Sequence, residues 1–190
     1  MLNTNVRCSW CGEDQAYQNY HDNEWGVPCR DDKKLFEFLI LESAQAGLSW
    51  LTILRKRENY RSAFADFDVQ RVALYDAADI QRLMADTGIV RNRLKIESAI
   101  TNAQCFIKLQ SERGSFSNYL WEYVDHRSVV NNWADEAKIP VSTDLSDRIS
   151  KDMKARGFTF FGTTICYAYL QAMGVVNDHV VDCLCRTASH

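Results

Sequence analysis

D-I-Q-R-L-M-A-D-T-G-I-V-R-N-R-L-K-I, residues 79–96, decides how the chain is read. It is a helical pattern, a tight break at Thr87-Gly88-Ile89-Val90, and a second helical pattern. Backbone N–H groups at such a turn and at the start of the second helix point outward together, which makes an anion site. Glycine at position 88 permits a positive φ and lets another backbone come close. Residues 88–96 also carry Arg91, Arg93 and Lys95 and no acid. This face is therefore basic inside a chain whose formal net charge is −3.

Working outward, nearly every segment reads helical. Residues 31–46 open with acids and place Leu35, Phe38, Leu39 and Ala46 on one stripe, with Glu37 opposite. Gly47 ends or bends that helix, and 48–60 resumes it with a basic outer face, Arg55-Lys56-Arg57. Helices are expected at 68–75, 77–86, about 92–109, 115–124, 144–156 and 162–173, and in the tail from Asp178. The best strand candidate, F-T-F-F at 158–161, is too short to pair usefully. The expectation is an all-α bundle, one domain over residues 1–190 with no linker, repeat or low-complexity tract.

Composition narrows the class. Hydrophobic residues at 46% suit a packed protein, and aromatics at 12% make stacking surfaces available. No apolar run approaches the roughly 20 residues of a membrane span, and no secretory signal is visible. A cytoplasmic protein with reduced thiols is expected. There, clustered Cys and His point to metal or redox chemistry more than to disulfides.

N-D-H-V-V-D-C-L-C at 177–185 supplies His179 and Cys183, four apart, which share one face if the tail is helical. Candidate partners are Cys8, Cys11, His21, Cys29 and Cys185. Cys8, His21, His179 and Cys183 form the obvious tetrahedral N/S set for Zn²⁺, with Cys8-x2-Cys11 as an alternative pair. Four protein ligands leave no open coordination position, so this metal would be structural. Joining the two ends of the chain would remove roughly 5 kcal/mol of unfolded-state entropy.

Glu42 lies on an apolar stripe with Phe38, Leu39 and Ala46. A carboxylate there costs several kcal/mol unless it is paired or opens into a cavity. The structural alternative is a rim glutamate paired with a lysine. Tyr17, Tyr20, Trp25 and Trp50 lie close in sequence, and two Trp and two Tyr around a buried acid suit a flat, cationic, hydrogen-bonding ligand such as a nucleobase.

The 79–96 pattern resembles the helix-hairpin-helix motif, which grips a DNA backbone without reading sequence. Gly88, Val90, Arg91, Arg93 and Lys95 would make those contacts. Over nearly its whole length the chain resembles the 3-methyladenine DNA glycosylase I family of bacteria. The resemblance rests on R-C-S-W at 7–10, Y-H-D-N-E-W-G-V-P at 20–28, L-E-S-A-Q-A-G-L-S-W at 41–50 and K-R-E-N-Y at 56–60. It continues through G-I-V-R-N-R-L-K-I at 88–96, R-G-F-T-F-F-G-T-T-I-C-Y at 156–167 and V-N-D-H-V-V-D-C at 176–183.

The resemblance implies the helix-hairpin-helix glycosylase fold, with the termini joined by a structural zinc on Cys8, His21, His179 and Cys183. Cys11 departs from the family's pattern. It implies hydrolysis of the N-glycosidic bond of N3-methyladenine in double-stranded alkylated DNA after base flipping. Tyr17, Trp25, Trp50 and Glu42 would bind the base, and Glu42 and Tyr20 are the catalytic candidates. Glu42 would accept from the exocyclic amine, and a stacked Trp would add about 1–2 kcal/mol of cation–π attraction. No general base is assigned, because Asp125 and Asp135 match no expected position. The expected partners are DNA and the free base, with no membrane, and a monomer is expected. Two rivals stand beside this reading: a catalytically silent DNA-damage-binding protein, and a zinc-pinned helical module for a protein partner.

Overall fold

Residues 35–44 are buried without a break, so the helix that carries them, α2 (Asp32–Gln45), is the centre of the structure and not a surface helix. This is a computed structural model, and it describes residues 6–186. Asp31 caps α2 by accepting from the N–H groups of Lys33 and Lys34. Asp32 then accepts from Gln110 Nε2 and from the N–H groups of Phe116 and Ser117. One carboxylate thus ties three elements together.

Before α2 stand a 3-10 turn (Ser9–Cys11) and α1 (Gln15–Asn23). After it come α3 (Trp50–Ala63), the single turn α4 (Val69–Val72), α5 (Ala77–Ala85) and the long α6 (Arg93–Arg113). Then follow α7 (Phe116–Glu122), α8 (Asp144–Ala155) and α9 (Thr163–Ala172). Helix α2 packs on α3, α6, α7 and α9. Gly47 ends it at φ +80°, where an L side chain would be strained.

The expected helical class holds, with three local corrections. Glu37 is not on a solvated face: it is buried and bonded to Arg57 at 2.6 Å and Arg61 at 3.2 Å. Residues 158–161 form no strand, as expected; Thr159 instead exchanges both backbone bonds with the side-chain amide of Asn102. The strands are instead β1 (Val129–Val130) and β2 (Val176–Asn177), a two-residue parallel pair in which Val129 faces Val176.

The tail from Asp178 is the third correction, since it runs in turns and not as a helix. The cause is Asp178 itself. Its buried carboxylate accepts from Asn131, Trp133, Tyr167 and Gln171, all within 2.7 Å. That anchor, directly after β2, holds the chain extended where a helix would have to start.

Candidate functional site: an aromatic cavity braced by a Cys/His cluster

Four ligand atoms from the two ends of the chain meet in the interior. Cys8, His21, His179 and Cys183 are all buried, and one ligand atom from each lies within 4.8 Å of every other. Cys183 Sγ is 3.3 Å from His179 Nδ1 and 3.5 Å from His21 Nε2, and Cys8 Sγ is 3.6 Å from His179 Nδ1. A tetrahedral ion with bonds of about 2.0–2.3 Å needs ligand atoms about 3.3–3.8 Å apart, so the spacing fits. The other ring nitrogens are held as metal-bound imidazoles require. His21 Nδ1 meets Asp22 Oδ1 at 2.8 Å, and Arg7 grips the same carboxylate; His179 Nε2 meets the Trp25 carbonyl at 3.0 Å.

Charge at the cluster follows the same logic. Hydrogen bonding from Cys8, then from His179 and His21, holds the Cys183 thiol far below its ordinary range, while the contact with Cys183 and burial push the Cys8 thiol up. Turns bring His179 and Cys183 together, with Cys183 N–H donating to the Val180 carbonyl. Cys11 and Cys185 stand outside the four. Cys11 Sγ donates to the Cys8 carbonyl at 3.1 Å, and Cys185 lies behind His21, 3.9 Å from Nδ1.

Beside the cluster is a cavity of about 330 Å³, large enough for a purine base. All five residues expected there line it: Tyr17, Tyr20, Trp25, Glu42 and Trp50. Helix α1 contributes both tyrosines, α2 contributes Glu42, and Trp50 opens α3. The Tyr20 and Trp50 ring centroids are 5.3 Å apart. Trp10 is a wall that sequence reasoning missed, packing 5.0 Å from both Tyr17 and Trp25. Its signal was available, two residues after a metal-ligand candidate. Glu136 and Ile139 complete the wall from the loop after β1, where no local pattern marks them. Asp125 and Asp135 are not among the lining residues, and Asp135 instead caps a 3-10 turn through the N–H of Ala137.

Glu42 has no salt-bridge partner among the described residues; on α3, Arg55 goes to Asp14, Arg57 to Glu24 and Glu37, and Arg61 to Glu37, Glu58 and Asp66. Its Oε2 is buried without a hydrogen bond, and so is Trp50 Nε1. Both residues line the cavity. An acceptor and a donor are therefore left for a ligand that offers the converse pair. Burial alone pushes the Glu42 carboxyl up to about 8. Tyr20 stays a neutral phenol, its hydroxyl pushed up by burial and then by Glu42.

The turn between α5 and α6 is tight for a different reason than expected. Gly88 is not at positive φ. A Cβ there would lie 3.0 Å from Asn59 Cβ and from Asp86 Oδ1, so close approach favours glycine. The Gly88 N–H donates to Asp86 Oδ1 at 2.7 Å, and the Val90 N–H donates to the Tyr60 hydroxyl at 3.1 Å. Arg91 and Arg93 are exposed. Lys95 turns inward, its amine 2.9 Å from the Ala44 carbonyl and 2.6 Å from that of Ala46. It caps the C-terminal end of α2, a favourable place for a cation.

A helical chain that brings residues from its two ends into a Cys/His cluster, beside an aromatic cavity holding one unpaired acid, has a site whose walls a flat, hydrogen-bonding cation would complement. The comparisons sharpen this class. The Methyladenine glycosylase family model matches residues 10–187, and the chain belongs to that family. It is 50% identical over 179 residues to DNA-3-methyladenine glycosylase 1 of Escherichia coli (strain K12), covering 94% of this chain and 96% of that protein. It is 45% identical over 183 residues to the DNA-3-methyladenine glycosylase of Haemophilus influenzae, covering 96% and 99%. A solved 3-methyladenine DNA glycosylase I from Staphylococcus aureus superposes with a TM-score of 0.92 at 40% identity, covering 95% of this chain and 96% of that one.

Proposed function

We propose that the chain hydrolyses the N-glycosidic bond of N3-methyladenine in double-stranded alkylated DNA and releases the free base. One observation carries the reading at the site: Glu42 Oε2 and Trp50 Nε1 are both buried, both unpartnered, and both on one base-sized aromatic cavity. Adenine's edge offers an amine donor and ring acceptors, which complement that pair.

The base reaches the cavity by flipping out of the stack. Tyr17, Tyr20, Trp25 and Trp50 enclose it, and Glu42 accepts from its amine. Methylation at N3 leaves the base cationic and a good leaving group. The bond from the sugar breaks with its electron pair going to the base, water adds to the sugar carbon, and its proton passes to solvent.

Selectivity comes from Glu42's ionisation. With a pKa of about 8, Glu42 is protonated in the empty cavity at pH 7. Returning it to the carboxylate there costs about 1.4 kcal/mol, which a buried cation offsets and neutral adenine does not.

The Cys8, His21, His179 and Cys183 set would hold one Zn²⁺ as a structural ion joining the termini. The turn at 87–90 serves as a helix-hairpin-helix contact to the DNA backbone, with Arg91 and Arg93 as its cations. The chain works as one glycosylase domain, a monomer, in the cytoplasm. Among the described residues no helix is long and apolar enough to cross a membrane.

The test is to incubate methylated duplex DNA with the protein and measure free 3-methyladenine. Release well above the spontaneous rate is expected, and no excess release would overturn the enzyme.

A further inference from the structure

We propose that Lys56 is a DNA-phosphate ligand built into the turn between α5 and α6, an inference that rests on the glycosylase reading above. One face of α3 serves that turn through three residues at helical spacing: Lys56, Asn59 and Tyr60. Lys56 Nζ lies 3.3 Å from the Thr87 carbonyl and 3.2 Å from the Gly88 carbonyl. Asn59 Nδ2 donates to the same Gly88 carbonyl at 3.2 Å, and the Tyr60 hydroxyl accepts from Val90.

Two of the hairpin's own donors are not available as expected. Gly88 N–H is spent on Asp86 and Val90 N–H on Tyr60, so neither is free for a phosphate. What the turn offers instead is an ammonium laid across two of its carbonyls. An ammonium has three donors, and the two carbonyls use two of them.

Among the described residues Lys56 has no carboxylate within ion-pair distance, although its neighbours Arg55 and Arg57 both do. Asp86, the acid of the turn, spends an oxygen on the Gly88 N–H. A half-buried charge resting only on neutral carbonyls is poorly compensated. Were the task only to satisfy carbonyls, a neutral amide would serve, as Asn59 does. The charge itself therefore has a use, and an anion arriving from outside completes the ammonium's third bond. Arg91, directly after the turn and exposed, stands ready on the following residue. A nucleic-acid phosphate bound there would fix the duplex against α3, whose first residue is the cavity wall Trp50.

The experiment measures binding of a duplex carrying a non-cleavable abasic analogue, across a KCl series, for wild type, Lys56→Gln and Lys56→Arg. Losing one phosphate contact lowers the slope of log K against log salt by about 0.9, which is roughly eightfold in affinity at 0.1 M when referred to 1 M. Lys56→Gln should show that loss, Lys56→Arg should keep the wild-type slope, and both should bind free 3-methyladenine as wild type does. A Gln variant with lowered thermal stability and an unchanged slope would overturn the proposal, leaving Lys56 as a carbonyl clasp.

A second measurement needs no variant. Bound duplex should shield the Lys56 amine of the wild-type protein from acetylation, read by mass spectrometry, and equal labelling with and without DNA would also overturn it. Wild-type protein that neither binds duplex nor releases base defeats the underlying reading instead.

Discussion

Replacing Glu42 with Gln should make the empty protein more stable and the enzyme worse, and the first effect should depend on pH. Burial raises the Glu42 carboxyl from 4.5 in the unfolded chain to about 8 in the folded one. Between those values the unfolded chain has lost the proton and the folded chain keeps it. Stability therefore falls as pH rises, by about 1.4 kcal/mol per unit, and is flat below and above that window. The loss reaches about 3 kcal/mol at pH 7 and about 5 kcal/mol at pH 8.5. Glu42→Gln removes the titration and keeps the shape. Urea denaturation of both proteins from pH 4.5 to 8.5 should show a difference near zero at the acid end, growing to those values. Excision of 3-methyladenine should fall roughly 10- to 150-fold, the worth of a hydrogen bond to a charged group. A stability difference that is constant across this range would refute the reasoning, because Glu42 would then ionise alike in both states.

Four further outcomes are expected. Trp50→Phe removes a buried donor that the empty protein leaves unpartnered, so stability should change by less than about 1 kcal/mol while calorimetry shows 3-methyladenine binding about tenfold weaker. Elemental analysis after extensive dialysis should find one zinc per chain, and Cys183→Ala should abolish it and lower the melting temperature markedly. Gly88→Ala drives a Cβ against Asn59 and Asp86, costing about 1–3 kcal/mol by denaturation and weakening duplex binding more than free-base binding. Changing Arg91 and Arg93 together to Gln should reduce the salt slope of duplex binding by up to about 1.8, with little change in sequence preference.

The features legible in the sequence share one property: their chemistry is carried by residue type. A glutamate on an apolar stripe has few explanations, and Glu42 is buried and unpaired beside the aromatics named with it. Cys8, His21, His179 and Cys183 converge as their types suggest, although the spacing argument for the last two assumed a helix that Asp178 prevents. What escaped depends on tertiary partners. Nothing local says that Lys95 would cap α2, that Gly88 answers to Asn59, or that Glu136 and Ile139 would close the cavity from a distant loop. The whole-face burial of α2 was missed for a related reason. Its Glu37 looks like a solvent marker until Arg57 and Arg61 are folded over it.

The cluster and the cavity are parts of one device. A site that buries an acid and a second polar atom with no protein partner for either is destabilising until a ligand pairs them. Its walls must nonetheless stay apart and rigid. His21 follows Tyr20 on α1, and His179 rests against the Trp25 carbonyl, so the Cys/His cluster adjoins two of those walls. Gly26, at φ +76°, lets His179 approach to where a Cβ would stand 3.0 Å away. A metal on this set would remove about 5 kcal/mol of unfolded-state entropy by closing nearly the whole chain. That is the same order as the burden Glu42 imposes above pH 7. The Cys/His cluster drawn from the two ends of the chain therefore stands where a bound ion's stabilisation would offset the cost of the pocket.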